Sequence, residues 1–322
     1  MLRRSLFPAC LMSLALVATA CTGDEGEASV DIGGPDDPVP ACDTDTIRFA
    51  DTQVEALEEL SRRFEPFADE LAEAFGRDIE FYSVPDRNAA ATALELDDVV
   101  LVLAGAAEYV VLNAVAGAEP VVALTRDEYY SEITAHADSD IHELEDLEGH
   151  SVALGGIGSG TRHIAPMRIL VEDGGYDAEN DLDVQYLDDA WREAFIAGEV
   201  DAIGHGARHI EPVAEELGEE NLRTVFTGPE MGPDAFMANP ELGEECADEL
   251  RTAVLDNEEA VLEALWGTAD DTDNEKYLDS ELVAVDDDEF DTMREAFLAI
   301  GIDDFAEFDE DELEREITEE LE

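Results

Sequence analysis

The sequence predicts an α/β fold made of two lobes. Short apolar strands alternate with amphipathic helices along most of the chain, which is the pattern of mainly parallel sheets flanked by helices. The length of 322 residues is enough for two domains of ordinary size. Hydrophobic residues make up 45% of the chain, so most of its length can bury a core.

Regular structure is predicted to begin near Thr46. Apolar residues recur at helical spacing from 54 to 75, and Gly76 is a suitable helix C-cap. Residues 99–103 are continuously apolar, as in strands that are buried on both faces. Further strands are predicted at 47–50, 79–84 and 120–124, with a helix at 108–115.

The alternation continues after a crossover between the lobes, which is predicted at 129–137. Strands at 151–154, 184–187 and 202–203 are each followed by a helix, at 163–171, 190–197 and 209–217. Helices at 244–265 and 291–299 complete the predicted fold.

The first twenty residues differ from the rest and predict an export signal. Arg3 and Arg4 form a basic start, and the apolar segment 6–17 has the length of a signal-peptide core. That segment is too short for a stable transmembrane helix. Residues 17–21, Val-Ala-Thr-Ala-Cys, resemble the lipobox of prokaryotic lipoproteins, which implies that Cys21 becomes an acylated N-terminus. An ordinary cleaved signal with a chance cysteine is the alternative.

The charge balance of the chain is extreme. It has 84 acidic residues against 17 basic ones, of which only Lys276 is a lysine, and its formal charge is −67. Nucleic acid is therefore excluded as a partner, because phosphate backbones require clustered Lys and Arg. The apolar content argues against disorder, so we interpret the acidic runs as solvated surface.

Such a surface predicts a fold that depends on salt. Loss of residues 1–20 removes two arginines and no acids, which leaves 15 basic and 84 acidic residues and a formal charge of −69. Screening reaches roughly 3 Å at 1 M salt but roughly 30 Å at 0.01 M, so dilution lets many more carboxylates repel one another. We expect a salt-loving source and a fold that requires high ionic strength. Circular dichroism at decreasing salt tests this, and an equally stable fold in dilute buffer contradicts it.

Residues 151–163 carry the most informative local pattern. A strand at 151–154 leads into the glycine-rich turn 155–161 (GGIGSGT), and a helix follows directly. The first turn of a helix offers unpaired N–H groups and the positive end of the helix dipole. Ser159 and Thr161 add hydroxyl groups, and the glycines let the backbone approach a ligand closely. The pattern predicts an anion site, and a tight turn without a ligand is the alternative.

Better-known motifs fail at this turn. A phosphate-binding P-loop requires a lysine at the position of Thr161. A dinucleotide-binding fingerprint requires a small residue at the same position. A hydrolase elbow around Ser159 requires glycines at the positions of Ile157 and Thr161. No paired nucleophile and base, and no dense cluster of metal ligands, is found in the sequence. We therefore expect neither an enzyme nor a resident metal or cofactor.

The stretch from 47 to 302 resembles the substrate-binding proteins of phosphate/phosphite/phosphonate-type ABC transporters. The family's turn reads G-D-P-x-S-T-S-G-Y-x-x-P, and residues 155–166 read GGIGSGTRHIAP. Ser159 falls on the first hydroxyl position and Thr161 on the third, Gly160 replaces the middle threonine, and Pro166 agrees. Further similar segments are 105–110 (GAAEYV), 129–131 (YYS), 198–202 (GEVDA) and 231–234 (MGPD).

The resemblance implies a two-lobed type II periplasmic-binding fold with a small oxyanion held between the lobes. We expect residues 1–20 to be the signal peptide and residues 21–43 to be a flexible acidic tether. Lobe 1 comprises 44–133 plus 236–322, and lobe 2 comprises 134–235. The protein would act as a lipid-anchored monomer that passes its solute to the permease subunits. The residues expected to contact the ligand are Ser159, Gly160, Thr161, Tyr109, Tyr129, Arg162, Asp188 and Asp234.

Departures from the family pattern leave the ligand open. Asp188 stands where family members usually carry a histidine, and residues 206–209 (GARH) replace a region that supplies a carboxylate. Arg162 and Arg208 can pair with an anionic ligand or with nearby carboxylates. Tyr109 and Tyr129 can close over a ligand or pack at a lobe edge.

The sequence is also compatible with a different transporter or with a sensor. The same turn occurs in carboxylate receptors of tripartite (TRAP, TAXI-type) transporters. A sensor subunit that presents its ligand to a membrane kinase would share the fold. The residues of the turn do not distinguish these functions from ABC transport.

Two pairs of residues could form further bonds. His205 and His209 are four residues apart, but the predicted change from strand to helix between them disfavours a shared metal. Outside the cytoplasm Cys42 and Cys246 can form a disulfide or stay as two thiols.

Overall fold

The computed structural model describes residues 46–52, 56–84, 87–177, 181–266 and 277–308. The predicted signal peptide, Cys21, the tether 21–43 and Cys42 lie outside these ranges. No helix within them is both long and apolar enough to cross a membrane.

Two separate sheets form the two lobes. The strands of the first are β1 (Thr46–Asp51), β2 (Asp78–Phe81), β3 (Leu101–Ala104), β4 (Glu119–Leu124), β10 (Asp234–Ala238) and β11 (Leu282–Val283). Those of the second are β5 (Tyr130–His136), β6 (Ser151–Leu154), β7 (Asp183–Tyr186), β8 (Ala202–Gly206) and β9 (Leu222–Glu230). The strand orders are β11-β4-β10-β3-β1-β2 and β7-β6-β8-β5-β9.

Helices cover these sheets as the alternating pattern predicts. Lobe 1 has α1 (Leu57–Phe75), α2 (Arg87–Glu95), α3 (Ala106–Ala116), α7 (Glu244–Asp256), α8 (Glu258–Trp266) and α9 (Asp291–Ala299). Lobe 2 has α4 (Ala165–Arg168), α5 (Trp191–Ile196) and α6 (Glu211–Leu217). Helix α1 ends at Gly76, whose φ of 70° gives the left-handed C-cap that the sequence predicts.

The α/β class and the type II fold are confirmed, with sheets that are more mixed than predicted. Strand β1 runs parallel to β2 and β3, and β6 runs parallel to β7 and β8. Strands next to the crossovers run antiparallel to their neighbours: β5 to β8 and β9, and β10 to β3 and β4. Each of these pairs includes the first strand after a crossover, and β11 also runs antiparallel to β4.

The chain passes between the lobes at residues 125–129 and 231–233. The segment predicted as a crossover at 129–137 is mostly strand β5, which pairs within the second sheet. The sequence-derived lobe boundaries at 133/134 and 235/236 therefore fall inside β5 and β10. The single helix predicted at 244–265 is divided at Asn257, whose side chain donates to the carbonyl of Ala253 over 2.8 Å.

An apolar cluster continues from lobe 1 into lobe 2. Ile164 and Ala165 at the start of α4 belong to the same buried cluster as Met293 and Ala296 of α9. Burying such side chains contributes roughly 25 cal/mol for each Å² removed from water. This contact holds the beginning of α4 against lobe 1. The glycine-rich turn directly precedes α4, so it lies close to lobe 1 as well.

Cys246 is buried on α7 and is disulfide-bonded. Its partner lies outside the described residues. Cys42, the candidate partner named from the sequence, is among the residues outside these ranges.

Candidate functional site

A cleft of about 1270 Å³ lies between the two lobes. Lobe 2 contributes the turn residues Ser159, Gly160, Thr161 and Arg162 to its lining, together with residues 207–211 at the start of α6. Lobe 1 and the first crossover contribute Gly105, Glu108, Arg126 and Tyr129. The cleft is thus lined by groups that can hold a polar ligand from both sides.

The glycine-rich turn leads directly from β6 into a helix that faces the cleft. Gly158 has a φ of 82°, a conformation that glycine adopts without strain. The carbonyl of Ser159 accepts the N–H groups of His163 and Ile164 at 2.9 and 3.0 Å. The first turn, Gly160–Ile164, is therefore wound as a π-helix, a form that is frequent at functional sites.

Three consecutive backbone donors lie at this helix start. Within the described residues, the N–H groups of Gly160, Thr161 and Arg162 have no protein acceptor. Ser159 is 9% exposed, and it makes no hydrogen bond from its side chain to cap the helix. The turn therefore presents backbone N–H groups and hydroxyls together, which is the arrangement that binds anions.

His163 holds the turn in this shape. Its ring is 2% exposed, and its Nδ1 accepts the N–H of Gly158 over 3.0 Å. Burial lowers the pKa of His163 to about 4, so the imidazole is neutral near neutral pH and keeps the lone pair that this hydrogen bond requires. The sequence pattern alone assigned no role to His163.

The close contact with lobe 1 explains the glycine at position 160. A Cβ on Gly160 would lie 3.3 Å from Cε of Met293 and 3.4 Å from Cβ of Ala107. A threonine, which the resembled family has at this place, would press against both neighbours. Gly160 thus lets the first turn of the lobe 2 helix approach the first turn of α3.

A buried ion pair joins the two crossover segments beside the cleft. Nη1 of Arg126 donates to Oδ1 of Asp234 over 2.9 Å, and the two side chains are 13% and 1% exposed. Tyr277 donates its hydroxyl to the other oxygen of Asp234 over 2.6 Å. The guanidinium carbon lies 3.8 Å from the ring centroid of Tyr129. Asp234 and Tyr129 therefore fix the cation from two sides.

The environment keeps the Arg126 guanidinium charged. Burial is the largest single effect and would lower the pKa of Arg126, but Asp234, Tyr129 and Tyr277 together outweigh it and raise the pKa. Its Nε is buried and has no hydrogen-bond partner in the described part of the chain. Arg126 is thus a fixed positive charge at the cleft with remaining capacity to donate.

Lobe 2 adds cationic side chains around His209. The ring lines the cleft, and its Nδ1 is buried without a hydrogen-bond partner in the described ranges. Burial and the charges of Arg162 and Arg192 lower the pKa of His209 to about 4. Arg162 also forms an exposed ion pair with Asp189 at 3.1 Å. This part of the cleft therefore holds cationic side chains, and Glu211, Glu215 and Glu219 line it as well.

The structure brings together five of the predicted ligand residues. Ser159, Gly160, Thr161, Arg162 and Tyr129 all line the cleft. Sequence reasoning missed Arg126, Glu108 and His209, and only the scarcity of arginine in an acidic chain was a signal for Arg126.

Tyr109, which is predicted to contact the ligand, is not among the residues that line the cleft. Its hydroxyl donates to Asp287 over 2.5 Å, and its ring lies 4.1 Å from that of Phe290 inside lobe 1. Successive helix residues point about 100° apart, so Glu108 faces the cleft while Tyr109 faces the interior.

Two carboxylates that were predicted to contact the ligand also lie off the cleft surface. Asp188 follows the edge strand β7, and its Oδ1 lies 2.8 Å from where a Cβ on Gly156 would be. Asp188 is exposed beside the turn and is not among the residues that line the cleft. Asp234 is fully buried behind Arg126, so its contact with the cleft is indirect.

His205 is a core residue. Its Nε2 is 2.9 Å from the Thr134 hydroxyl oxygen, its Nδ1 is 2.9 Å from the Gly206 carbonyl, and its ring stacks on Trp191. Both ring nitrogens are therefore engaged within the protein. The part of the chain that the structure describes contains no cluster of three or more His, Cys, Asp or Glu suited to a metal ion.

Sequence comparisons relate the chain to known proteins of ABC transport. The family model of the periplasmic phosphonate-binding protein of ABC transporters matches residues 52–313. The phosphate-import protein PhnD of Mycolicibacterium smegmatis is 27% identical over 259 residues, covering 74% of this chain and 78% of that protein.

Solved structures share the fold at lower identity. PhnD1 of Prochlorococcus marinus in complex with methylphosphonate has a TM-score of 0.56 at 17% identity, covering 80% of this chain and 99% of that one. The aliphatic sulphonate binding protein SsuA of Escherichia coli has a TM-score of 0.52 at 18% identity, covering 81% and 90%. Since proteins for both kinds of anion share it, the fold alone does not select between phosphorus and sulfur ligands.

Proposed function

The chain belongs to the family of periplasmic substrate-binding proteins of phosphonate ABC transporters, and from that premise we propose that it binds a small phosphorus oxyanion between its lobes. Proteins of this family serve transport outside the cytoplasm and are not enzymes. The ligand class proposed for this chain is phosphate, phosphite or a small phosphonate.

The helix start at Gly160 is the observation that carries this proposal. Its three N–H groups without a protein acceptor in the described ranges line the cleft, and the first turn of a helix with its positive dipole end binds anions through such groups. The hydroxyls of Ser159 and Thr161 line the same part of the cleft. An oxyanion with several oxygens can accept from all of these donors at once.

Arg126 supplies the opposing charge. It lines the cleft from the first crossover, while the turn approaches from lobe 2. An anion held between them would join the two lobes, and release would require them to separate. We propose that the closed, ligand-bound form is the one that the permease subunits receive.

The net charge of the chain does not prevent this binding. A charge of −67 repels anions at long range, but high salt screens that repulsion. Hydrogen bonds at contact distance inside a cleft are screened far less. We further propose that the protein is a monomer held at the membrane by a lipid on Cys21.

A thermal-shift screen in concentrated KCl tests the proposal. Phosphate, phosphite and methylphosphonate are expected to raise the melting temperature, since a ligand at 100 times its dissociation constant adds roughly 2.7 kcal/mol of stability. Small carboxylates at the same ionic strength serve as the comparison. Stabilisation by carboxylates alone would contradict the proposal and favour a receptor of the tripartite type.

A further inference from the structure

The lobe 1 wall of the cleft contains a hydrogen-bond acceptor where an anion site mainly needs donors. Glu108 lines the cleft and is half-buried in the first turn of α3. That turn meets the lobe 2 turn, because a Cβ on Gly160 would lie 3.4 Å from Cβ of Ala107. Glu108 follows Ala107 in the chain and lines the same cleft as the donors of the lobe 2 turn.

Gly105 leaves the space that this carboxylate occupies. A Cβ on Gly105 would lie 2.8 Å from Oε2 of Glu108, 3.4 Å from Oδ1 of Asp234 and 3.7 Å from the Tyr129 hydroxyl. Three polar groups thus converge on a point that any side chain at 105 would fill.

The two carboxylates at this point have different roles. Asp234 is fully buried and is neutralised by Arg126 and the Tyr277 hydroxyl. Glu108 is nearer to the cleft, and a carboxylate offers about four acceptor sites, so contacts within the protein leave it able to accept more. It faces the cleft as an acceptor.

An acceptor next to a bound oxyanion distinguishes ligands by their protons. A fully deprotonated oxygen is repelled by a carboxylate, whereas an oxygen that carries a hydrogen donates to it. Phosphate and phosphonates retain an acidic proton near neutral pH, because their second ionisation lies in that range. Sulfate and sulfonates carry no such proton.

We infer that Glu108 accepts a hydrogen bond from a protonated oxygen of the ligand and thereby selects phosphorus oxyanions over sulfur oxyanions. This inference rests on the proposed oxyanion function. It adds that the same site distinguishes its ligands by the proton on one ligand oxygen. Arg126 and the lobe 2 turn hold the charged oxygens, and Glu108 binds the remaining one. A site that pairs a ligand hydrogen in this way discriminates strongly against analogues that lack it.

Titration calorimetry of the full chain in concentrated KCl tests the inference with phosphate, methylphosphonate, sulfate and methylsulfonate. The wild-type protein is expected to prefer phosphate to sulfate by roughly a hundredfold or more. Glu108→Gln replaces an acceptor oxygen by a donor group of the same shape. It should reduce the ratio of phosphate affinity to sulfate affinity by at least roughly tenfold. Glu245→Gln, the same change at an exposed position of α7 that does not line the cleft, controls for the loss of one charge.

Methylphosphonate gives an independent measurement because its last acidic proton can be removed. Raising the pH through its second ionisation should weaken its binding to the wild-type protein but not to Glu108→Gln. Tyr129 and Asp234 are the titratable groups beside Glu108, and the Arg126 guanidinium adjoins both. Burial raises the pKa of Tyr129, so its hydroxyl stays neutral across this range. Phosphate retains a proton across the same range and should change little.

The outcomes distinguish the role of Glu108 from the binding of oxyanions in the cleft. Equal affinity for phosphate and sulfate in the wild-type protein, or an unchanged preference in Glu108→Gln, would overturn the role of Glu108 and leave the oxyanion site standing. Failure of all four anions to bind would overturn the proposed function and this inference with it.

Discussion

Replacing Ser159 by alanine and Thr161 by valine is expected to weaken binding of the stabilising phosphorus oxyanion by roughly a hundredfold or more. Both hydroxyls line the cleft at the helix start, and a hydrogen bond to a charged group contributes roughly 1.5–3 kcal/mol. Calorimetric titration of the double variant in concentrated KCl measures the change.

The fold should survive this double substitution. The turn is held by the hydrogen bond from Gly158 to His163, and the Ser131 hydroxyl donates to the backbone carbonyl of Thr161 over 2.9 Å. Neither contact uses the hydroxyls that are removed, and valine keeps the shape of threonine. The melting temperature should therefore stay close to that of the wild-type protein.

A matched double variant outside the cleft provides the control. Ser139→Ala with Thr252→Val also removes two hydroxyls, and neither residue lines the cleft. Its affinity should equal that of the wild-type protein. If Ser159→Ala with Thr161→Val also bound normally, the ligand site would have to lie away from the turn.

The lobe 2 turn could be predicted from the sequence because it is local. The residues of the turn follow one another, and glycine, serine and threonine in that order define both the backbone shape and the donors. The C-terminal end of α1 could be predicted for the same reason, because Gly76 adopts the left-handed conformation of a C-cap. Physical rules that act over a few residues were sufficient there.

The lobe 1 wall could not be predicted, because distant segments assemble it. Arg126 lies in the first crossover and Asp234 follows the second, and only the pairing of β10 between β3 and β4 brings them together. Strand β9 was not predicted because it is an edge strand whose residues are mostly half-buried or exposed. Its burial pattern lacks the strict alternation that marks a strand with one face in the core.

Replacing Arg126 by methionine is expected to lower both stability and affinity. The change removes the cation that neutralises the buried Asp234, and loss of one member of a buried ion pair costs about 3–5 kcal/mol. That cost corresponds to a fall in melting temperature on the order of 10 °C. Thermal unfolding in concentrated KCl measures it, and titration calorimetry measures the affinity.

A second substitution separates the two effects. Asp234→Asn in the Arg126→Met background removes the uncompensated charge, so most of the lost stability should return. Ligand affinity should not return, because the cation at the cleft is still missing. In this double variant, a recovered melting temperature together with a lost ligand affinity is therefore expected only if Arg126 contacts the ligand.

Two outcomes would contradict these predictions for Arg126. Recovery of wild-type affinity in Arg126→Met with Asp234→Asn would show that Arg126 merely neutralises Asp234 and braces the crossovers. An unchanged melting temperature in Arg126→Met alone would contradict the buried ion pair itself. Because Asp234 is inaccessible behind Arg126, the restored stability and the absent affinity together would assign the guanidinium to the ligand rather than to the fold.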